Sequence, residues 1–555
     1  MSKGKSLAVI IAVTVIAAAL LFYVNLPAIN LKSRPFWSYL FIVAGIFCGL
    51  YYLRMQGGGT IPPKKVHVRR LPLYILGAIL ILPIVLDFVT SSKLFYARAY
   101  SRILTVEDGS YEDIPSSEDT SRIALMDTSS AARLGDREIG SLTGLVSQYN
   151  VGDYTQIDLG GKPVKTAPLL YDGFFKWYRN RANGVPGYVL VDPVAMRAEY
   201  RALEQGMRYV PSAFFQKNLI RHIRFHYPTK MFDNVHFEID EEGRPWYVAS
   251  TFNYLVGMFG GKQVTGAILV DPANGNVEYH PTGEIPRWVD VVYNGDLICE
   301  QYNYHAQYHA GFWNTVFGQA GCKKVTEYTG NDDAHNSDYG YLSKDGDIWI
   351  YTGVTSLNND SSNLGFILSN ERTEETLYIT CAGADEFSAM GAAEGEVQEK
   401  RYNASFPSLI RTDGKPTYIM VLKDNSGLVK MYAAVNVEQY NVVATASNQG
   451  DCISKYRALL AGTISADEAV SDDTPIPDEG PVMPDPSAFE EKTVTVMRRE
   501  TIVESGNTYL YIVDAEKNIY RAKYTDVLGM LLVEDGETIK IMTDGTWFLM
   551  ADNNG

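Results

Sequence analysis

The chain has 555 residues, with 49 Lys and Arg against 65 Asp and Glu and a formal net charge of −16. This length predicts several domains. The acidic balance argues against a nucleic-acid partner, because phosphate binding requires clustered Lys and Arg. Five cysteines in a chain of this size do not form a disulfide framework. Buried thiols are therefore expected, with one or two disulfides as the alternative.

Three apolar runs fill the start of the chain, at Leu7 to Val24, Phe36 to Leu53 and Leu71 to Val89. Each is long enough to cross a hydrocarbon core of about 30 Å as a helix. A cleavable signal peptide is the alternative for the first run, but no small-x-small cleavage site follows it. Polar residues are few, and Asp87 lies near a helix end, so residues 1–95 are predicted to anchor the protein in a bilayer and not to form a pore.

The distribution of Lys and Arg predicts how the three spans are oriented. The N-terminus and the second loop are basic, at Lys3, Lys5, Arg54, Lys64, Lys65, Arg69 and Arg70. The first loop carries only Lys32 and Arg34. Because basic loops stay inside, the N-terminus is expected in the cytoplasm and the C-terminal region outside it. The protein is thus predicted to be multi-pass in the cell membrane, with the lipid bilayer as one partner.

Composition and patterning divide the rest of the chain. The predicted segments are a stalk at 96–121, repeat units at 122–210 and 211–290, two divergent α+β units at 291–461, an acidic Pro-rich linker at 462–492 and a small β-domain at 493–555. The last segment alternates in period two and contains Asp535-Gly536 and Asp544-Gly545, a dipeptide that favours hairpin turns. Its short strands predict a small all-β barrel of the OB or SH3-like kind.

An internal repeat is the most informative feature of the soluble region. The stretch Gly187 to Pro193 recurs as Gly266 to Pro272, and the spacing of 79 residues persists between Glu199-Tyr200 and Glu278-Tyr279. Upstream, Gly161-Lys-Pro aligns with Gly243-Arg-Pro, where Gly takes a positive φ and Pro restarts an extended segment. Asp345-Gly346 and Asp413-Gly414 start two weaker copies. Each unit is predicted to contain a helix and an antiparallel sheet, which makes the fold α+β.

These units resemble PepSY-type modules, in which a short helix packs on a small antiparallel sheet. The resemblance rests on the final apolar strand and its Asp-Pro turn, Val191-Asp192-Pro193 and Val270-Asp271-Pro272. Residues 100–450 also resemble a group of membrane proteins from Gram-positive bacteria such as clostridia. The resembling stretches begin at Tyr209, Arg221, Phe237, Ser388 and Pro416. This resemblance implies a non-enzymatic extracellular module, often one that inhibits or localises envelope peptidases, and it transfers no catalytic residues.

Metal binding is considered at two histidine pairs with helical i, i+4 spacing, His222 with His226 and His305 with His309. A metalloprotease motif needs Glu directly after the first His, and Ile223 or Ala306 stands there instead. Calcium is considered at the oxygen-rich stretch that holds Asp332, Asp333 and Asp338, which lacks EF-hand spacing. Partly exposed imidazoles and a solvated loop are the competing interpretations, and no cofactor is predicted.

Partner binding is considered at two places. One is the tyrosine-rich segment with Tyr302, Tyr304, Tyr308 and Trp313, since amphipathic aromatic side chains favour recognition surfaces and also fill cores. The other holds Glu394 and Glu396, which with Glu386 could serve as acid or base groups in a cleft. No nucleophile motif, Walker loop or dinucleotide fingerprint accompanies them, so no catalytic residue is predicted.

The sequence therefore favours a membrane-anchored, non-enzymatic scaffold or regulator outside the cytoplasm, with a cell-envelope protein or peptidoglycan as its partner. An envelope peptidase or hydrolase with a site assembled from distant residues is the first alternative. A docking subunit of a larger membrane assembly, which would use the C-terminal barrel, is the second.

Overall fold

A computed structural model describes residues 3–56, 66–118, 122–327, 339–358, 362–470, 489–504, 507–533 and 535–551. The described chain is α+β, with apolar helices first and antiparallel sheets after them. It divides into a first compact unit, residues 1–430 with 435–441, and a second, residues 431–434 with 442–555.

The three predicted spanning helices are present. Helix α1 covers Lys3–Asn25, α2 covers Arg34–Gln56 and α3 covers Val66–Ser91, and α2 packs against both of the others. Within them Leu7–Asn25, Arg34–Arg54 and Tyr74–Ser91 are long and apolar enough to cross a membrane. The prediction of three apolar helices is therefore confirmed.

The segment expected to be a stalk is folded instead. Helix α4, Lys93–Tyr100, follows α3 almost directly, and the short strand β1, Glu107–Asp108, pairs in parallel with a strand some 270 positions later in the chain. Leu104 and Ile114 are almost completely buried. Acidic, turn-rich composition predicted an extended tether, but these apolar side chains gain more from burial than the segment loses in chain entropy.

The first repeat unit is a helix followed by an antiparallel sheet. Its elements are α5 Thr128–Ser141, α6 Thr143–Val146, β2 Tyr149–Val151, β3 Thr155–Asp158, β4 Pro163–Tyr171, α7 Phe174–Asn180, β5 Val185–Asp192 and β6 Arg197–Met207. The strand order is β2-β4-β5-β6, and β3 also pairs with β4. The Asp127 side chain accepts the Ser130 N–H and so caps the start of α5.

The second repeat unit also begins with a helix and continues with antiparallel strands, but it has no helix between its strands. Its elements are α8 Leu219–His226, β7 Met231–Ile239, β8 Pro245–Val256, β9 Gly260–Val270 and β10 Val277–Pro281, paired in the order β10-β9-β8-β7. The carboxylates of Asp192 and Asp271, which end the matching strands, each accept two backbone N–H groups of the turn that follows. One apolar core contains buried residues of both units, including Ile139, Ile223 and Ile268.

The helix-then-strands order occurs twice more. The third occurrence comprises α9 Gly295–Tyr308, β11 Lys323–Val325, β12 Gly340–Lys344, β13 Asp347–Ser356, β14 Ser362–Asn370 and β15 Thr376–Ala384, with sheet order β1-β15-β14-β13-β11 and β12 paired to β13. The fourth comprises α10 Glu386–Glu396, β16 Asn403–Ala404, β17 Ser408–Thr412, β18 Lys415–Lys423, β19 Val429–Asn436 and β20 Val443–Ala446. Both β16 and β17 pair antiparallel with β18.

The predicted hairpin turns lie where the glycines indicated. Strands β12 and β13 are joined through Asp345 and Gly346, and β17 and β18 through Asp413 and Gly414. All four residues have positive φ, which two-residue hairpin loops require. Gly161 and Gly243 also have positive φ, in the turns before β4 and β8.

The second compact unit contains a small helical core and a five-stranded sheet. Its further elements are α11 Gln449–Leu460, α12 Ala466–Val470, β21 Glu490–Glu504, β22 Asn507–Asp514, β23 Ile519–Lys523, β24 Thr538–Thr543 and β25 Phe548–Met550. The strand order is β23-β22-β21-β24-β25. Part of the predicted linker is folded, since the α12 residue Ala469 is fully buried against Cys452 and Tyr456.

The turn between β8 and β9 is joined to the C-terminal end of α3. The Ser91 hydroxyl accepts the N–H groups of Met258 and Phe259 at 2.9 and 3.1 Å. Gly257 has φ +61, and a Cβ there would lie 2.1 Å from the carbonyl oxygen of Thr90. This close approach between backbones requires glycine.

Helix α8 is joined to the end of α1 and to the loop that follows it. Arg224 donates to the Leu26 carbonyl oxygen at 3.0 Å, and the Ile29 N–H donates to the Pro228 carbonyl oxygen at 2.8 Å. The Lys32 ammonium donates to the Tyr254 carbonyl oxygen at 2.6 Å. The first loop and the chain after α3 therefore lie at the same end of the three-helix anchor.

Buried carboxylates connect the first three repeat units. Both oxygens of Glu238 accept backbone N–H groups, from Asp290 and Val291 at 3.0 Å, and one also contacts His236 Nε2 at 2.7 Å. The Asp290 carboxyl in turn accepts the Asp158 N–H at 2.7 Å. Burial, with the neighbouring Glu238 carboxylate, raises the pKa of Asp290 well above its usual range.

Replacing Glu238 by Ala should destabilise the soluble region strongly. The change leaves the buried N–H groups of Asp290 and Val291 without an acceptor, and each such group costs about 1–3 kcal/mol. We expect the free energy of unfolding to fall by about 3 kcal/mol or more, measured by thermal and denaturant unfolding of the full chain in detergent micelles. The control is Glu241→Ala, at an exposed turn position of the same sheet. Equal stability of the two variants would contradict this role of Glu238.

Candidate functional site

Helix α9 carries most of the tyrosine-rich segment predicted to bind a partner. It begins after Asn294, whose side chain accepts the Leu297 N–H at 3.2 Å and so caps the helix. Ile298 and Tyr302 lie in the apolar core of the third unit and are almost fully buried. Tyr302 is therefore a core residue on this helix and is not presented to a partner.

The opposite face of α9 borders a cleft of about 380 Å³. Its lining residues are Lys93, Asp296, Cys299, Glu300, Asn303, Tyr304, Gln307, Tyr308, Val325, Glu327 and Tyr339. Glu300, Tyr304 and Tyr308 share this face because they are spaced at i, i+4 and i+8. Among the described lining residues, three carboxylates and one ammonium give a formal charge of −2.

The single ammonium of the cleft lies among three tyrosine rings. Lys93 Nζ is 4.5 Å from the ring centre of Tyr304 and 5.9 Å from those of Tyr100 and Tyr308. Tyr100 and Tyr304 meet edge to face at 4.9 Å, and the Tyr100 hydroxyl donates to the Ser91 carbonyl oxygen at 2.6 Å. Aromatic faces attract cations, so the rings hold the ammonium close to the end of α3.

Burial and a neighbouring charge shift the pKa of Lys93 in opposite directions. Burial lowers the pKa of Lys93, and the Glu300 carboxylate raises it again in part. The Tyr304 hydroxyl donates to Glu300, and burial together with this carboxylate raises the pKa of Tyr304 above its usual range. The tyrosines therefore stay neutral hydrogen-bond donors, and the carboxylates provide the charge of the cleft.

This combination is suited to binding. Carboxylates attract a cationic group, tyrosine rings contact its apolar stem, and the Asn303 and Gln307 amides add hydrogen-bonding capacity. No histidine or serine is among the described lining residues, and the one thiol, Cys299, is buried.

The other residues predicted near this segment lie around the cleft. Trp313 is exposed and stacks on Phe317 with ring centres 5.7 Å apart. His305 Nδ1 lies 3.2 Å from the Ser101 carbonyl oxygen, and burial lowers the pKa of His305. His309 Nδ1 lies 3.1 Å from the Ala306 carbonyl oxygen. Both imidazoles thus contact backbone oxygens of the protein.

The second histidine pair lies on α8, away from this cleft. His222 Nε2 is 2.7 Å from the Gly275 carbonyl oxygen, and His226 Nδ1 is 2.9 Å from the His222 carbonyl oxygen. Among the described residues, no group of three His, Cys, Asp or Glu side chains is arranged to hold a metal ion. Asp332, Asp333 and Asp338, predicted as calcium ligands, lie outside the described residues.

The acidic residues of α10 are not gathered in one cleft. Glu386 is fully buried and accepts hydrogen bonds from the Gly353 N–H and the Thr326 hydroxyl. Glu394 accepts the Ala404 N–H at 2.8 Å, whereas Glu396 is exposed. Glu386 and Glu394 thus join their helix to neighbouring strands.

Sequence reasoning predicted only Tyr304 and Tyr308 among the described lining residues of the cleft and missed the others, of which Glu300 and Lys93 show why. Glu300 was visible in principle, because it stands four residues before Tyr304 and so lies on the same helical face. Lys93 carried no usable signal, since it is 211 positions before Tyr304 and reaches the cleft only through the packing of α4 on α9.

No known family model matches the chain, and no curated protein matches it. Several solved structures resemble it weakly. An exo-β-1,3-galactanase from Phanerochaete chrysosporium is 6% identical, with 72% of this chain and 66% of that chain covered and a TM-score of 0.15. A levansucrase mutant from B. megaterium is 10% identical, with 83% and 98% covered and a TM-score of 0.19. An ancestral GH74 enzyme is 10% identical, with 68% and 42% covered and a TM-score of 0.14. Scores this low support no inference about fold or activity.

Glu386 should make stability depend on pH. Burial raises its pKa from 4.5 to about 7, so the folded state binds the proton more tightly than the unfolded state does. The stabilisation is complete below pH 4.5 and is lost as pH rises to about 7, a change of about 3 kcal/mol. Glu386→Gln should remove this dependence, as measured by unfolding free energies across that range.

The matched control is Glu396→Gln, at the exposed end of the same helix, which should keep the pH dependence of the wild type. If Glu386→Gln and the wild type lose stability equally between pH 4.5 and 7, the buried carboxyl does not titrate as described.

Proposed function

We propose that this chain is a membrane-anchored, non-enzymatic scaffold or regulator that binds a positively charged segment of a cell-envelope protein outside the cytoplasm. The observation that carries the proposal is the α9 cleft. Asp296, Glu300 and Glu327 give it negative charge, and the half-buried Tyr308 gives it aromatic surface, whereas Tyr304 is buried beneath. Lys93 follows α3 by two residues. A partner bound there is held beside the membrane.

The proposal includes the side of the membrane on which the cleft lies. The first loop and the chain after α3 share one end of the anchor. Within the three helices, Lys3, Lys5, Arg54, Arg69 and Arg70 lie at the other end. Because basic loops stay inside, we place the N-terminus in the cytoplasm and the cleft outside it.

The proposal also concerns the module types. We interpret the helix-then-strands units as PepSY-like, which is supported by four occurrences of a helix followed by antiparallel strands. We interpret the C-terminal sheet as a closed OB or SH3-like barrel, because a bridge between Arg521 and Trp547 links the strands at the two ends of its strand order. Modules of both kinds serve as binding surfaces, in agreement with a scaffold or regulator.

A photo-crosslinking residue at Gln307 should capture the partner in intact cells. The side chain lines the cleft, so a bound protein segment lies within reach, and the adduct is identified by mass spectrometry. Adding Glu300→Gln and Glu327→Gln should lower the yield several-fold, because the cleft loses two of its three carboxylates. The control site is Glu241, at an exposed turn of the second sheet.

Equal adduct yields at Gln307 and Glu241, or no effect of the two Gln substitutions, would contradict a binding role for the cleft. Adducts to peptidoglycan fragments in place of protein would change the partner class. Cleavage of peptides or peptidoglycan by the purified full chain would contradict the non-enzymatic part of the proposal.

A further inference from the structure

Outside the three apolar helices, exposed aromatic side chains concentrate on one surface of the first two repeat units. We name this surface the aromatic patch; it consists of Phe174, Phe175, Tyr178, Phe214, Phe215 and Phe225. Phe175 is 84% exposed, and Phe215 and Phe225 are both more than half exposed. An apolar patch of this kind on a soluble surface marks a contact with a protein or a membrane.

Ring contacts make most of the patch one continuous surface. The ring centre of Phe174 lies 5.6 Å from that of Phe175, 6.1 Å from that of Tyr178 and 5.1 Å from that of Phe214. Trp177 lies beneath these rings, almost fully buried, with its ring centre 5.8 Å from that of Phe215. The exposed rings therefore rest on a rigid support, and their exposure is not that of a loose loop.

The patch is joined to the last turn of the first membrane helix. The Arg221 guanidinium donates to the Phe215 carbonyl oxygen at 2.6 Å and to the Tyr23 carbonyl oxygen at 3.3 Å, and it lies 4.1 Å from the Tyr23 ring centre. Phe225 contacts Phe22 and Tyr23 with ring centres 5.9 and 6.4 Å apart. Phe22 and Tyr23 lie inside the spanning segment Leu7–Asn25.

These contacts fix the height of the patch relative to a bilayer. Phe22 and Tyr23 stand within one turn of the end of α1, which is the level of the lipid headgroups when the helix spans the membrane. Aromatic side chains are favoured at this boundary because one part of the environment is apolar and the other is wet. Phe225 touches the helix at this level. Arg221 links Phe215 to the same turn of the helix, which places that part of the patch near the same level.

The border of the patch is basic, although the chain as a whole is acidic. Arg179 and Arg181 are exposed beside the rings, and the Arg181 guanidinium lies 3.8 Å from the Tyr178 ring centre. Lys217 lies 3.8 Å from the Tyr209 ring centre. Cations at the edge of an interfacial apolar surface reach lipid phosphates while their stems stay in apolar contact.

We propose that the aromatic patch inserts into the headgroup and acyl boundary of the same bilayer that α1, α2 and α3 cross, with Arg179 and Arg181 on lipid phosphates. The occupant of the surface is thus the outer leaflet beside the anchor. The soluble region then rests on the membrane along the edge formed by α7 and α8, and the anchor is not a simple tether.

Nitroxide depth measurements on the full chain test this proposal. A spin label at Phe175→Cys is studied after reconstitution into nanodiscs of phosphatidylglycerol and phosphatidylcholine. We expect collisions with oxygen to exceed those with a water-soluble nickel chelate, because oxygen dissolves in the acyl region. The native cysteines are buried, and the unsubstituted chain, carried through the same labelling, gives the background.

The matched control is Glu241→Cys, in the turn before β8. This strand has 12 residues and at 3.3 Å per residue spans about 36 Å, which separates Glu241 from the turn that contacts α3. The control label should collide mainly with the nickel chelate. A second label at Phe215→Cys guards against a local effect of the first substitution, and thermal unfolding verifies that each variant is folded.

Water-like collision ratios at both Phe175 and Phe215 would overturn the proposal. Burial of the patch against a second copy of the chain would also overturn it. In that case the collision ratio stays apolar in a short-chain detergent, and crosslinking captures the second copy. If the ratio is apolar in pure phosphatidylcholine and deepens at least twofold with phosphatidylglycerol, both the ring insertion and the phosphate contacts are supported.

Discussion

The Glu238 carboxylate is the contact on which the arrangement of the repeat units depends. It is completely buried, and its oxygens accept N–H groups of Asp290 and Val291, in the segment that leads into the third unit. Removing a carboxylate from water costs several kcal/mol unless hydrogen bonds replace the lost solvation. These hydrogen bonds form only when the second sheet and this segment are in register. Any other arrangement leaves the Glu238 carboxylate buried without them, which costs free energy.

The same network extends into the first sheet. Asp290 accepts the Asp158 N–H, and the Asp158 carboxylate accepts the Ser343 hydroxyl at 2.9 Å from the third sheet. Strands of three sheets thus end at one polar cluster. Polar groups that lack a partner within their own sheet form hydrogen bonds to a neighbouring sheet or segment there. Repeat units in a linear array contact only their neighbours. Here the first and third units meet as well, which makes the first three units one cooperative body.

This rigidity matters because the body is joined to the three apolar helices at two places. The β8–β9 turn is hydrogen bonded to Ser91 at the end of α3, and Arg224 of α8 is hydrogen bonded to the chain that directly follows α1. Two separate attachments on one rigid body fix its orientation relative to the helix bundle, whereas a single flexible stalk leaves orientation open. The cleft on α9 and the aromatic patch therefore keep constant positions relative to the anchor.

Sequence patterns anticipated what is encoded locally. Apolar length predicted the three helices. The Gly-Lys-Pro and Gly-Arg-Pro turns predicted positive φ at Gly161 and Gly243, because this conformation is a property of the turn residues themselves. The failures concern contacts between distant residues. The pairing of β1 with β15 replaced the expected stalk, and the burial of Tyr302 and Glu386 depends on sheets that no local window contains. A helical period shows which residues share a face, but not which face is covered.

Lys93 connects the α9 cleft to the C-terminal end of α3. Its ammonium contacts the rings of Tyr304 and Tyr308 on α9. It also contacts the ring of Tyr100, whose hydroxyl is hydrogen bonded to Ser91, the last residue of α3. A cationic group that enters the cleft competes with Lys93 for the same ring faces and for Glu300. Displacing Lys93 costs its cation–π contacts. In the proposed function, the affinity for a partner therefore depends on how firmly the end of α3 holds this lysine in place. Ser91 also accepts a hydrogen bond from the turn of the second sheet. The end of α3 therefore takes part both in the cleft and in the attachment of the soluble body, so a change in one alters the other.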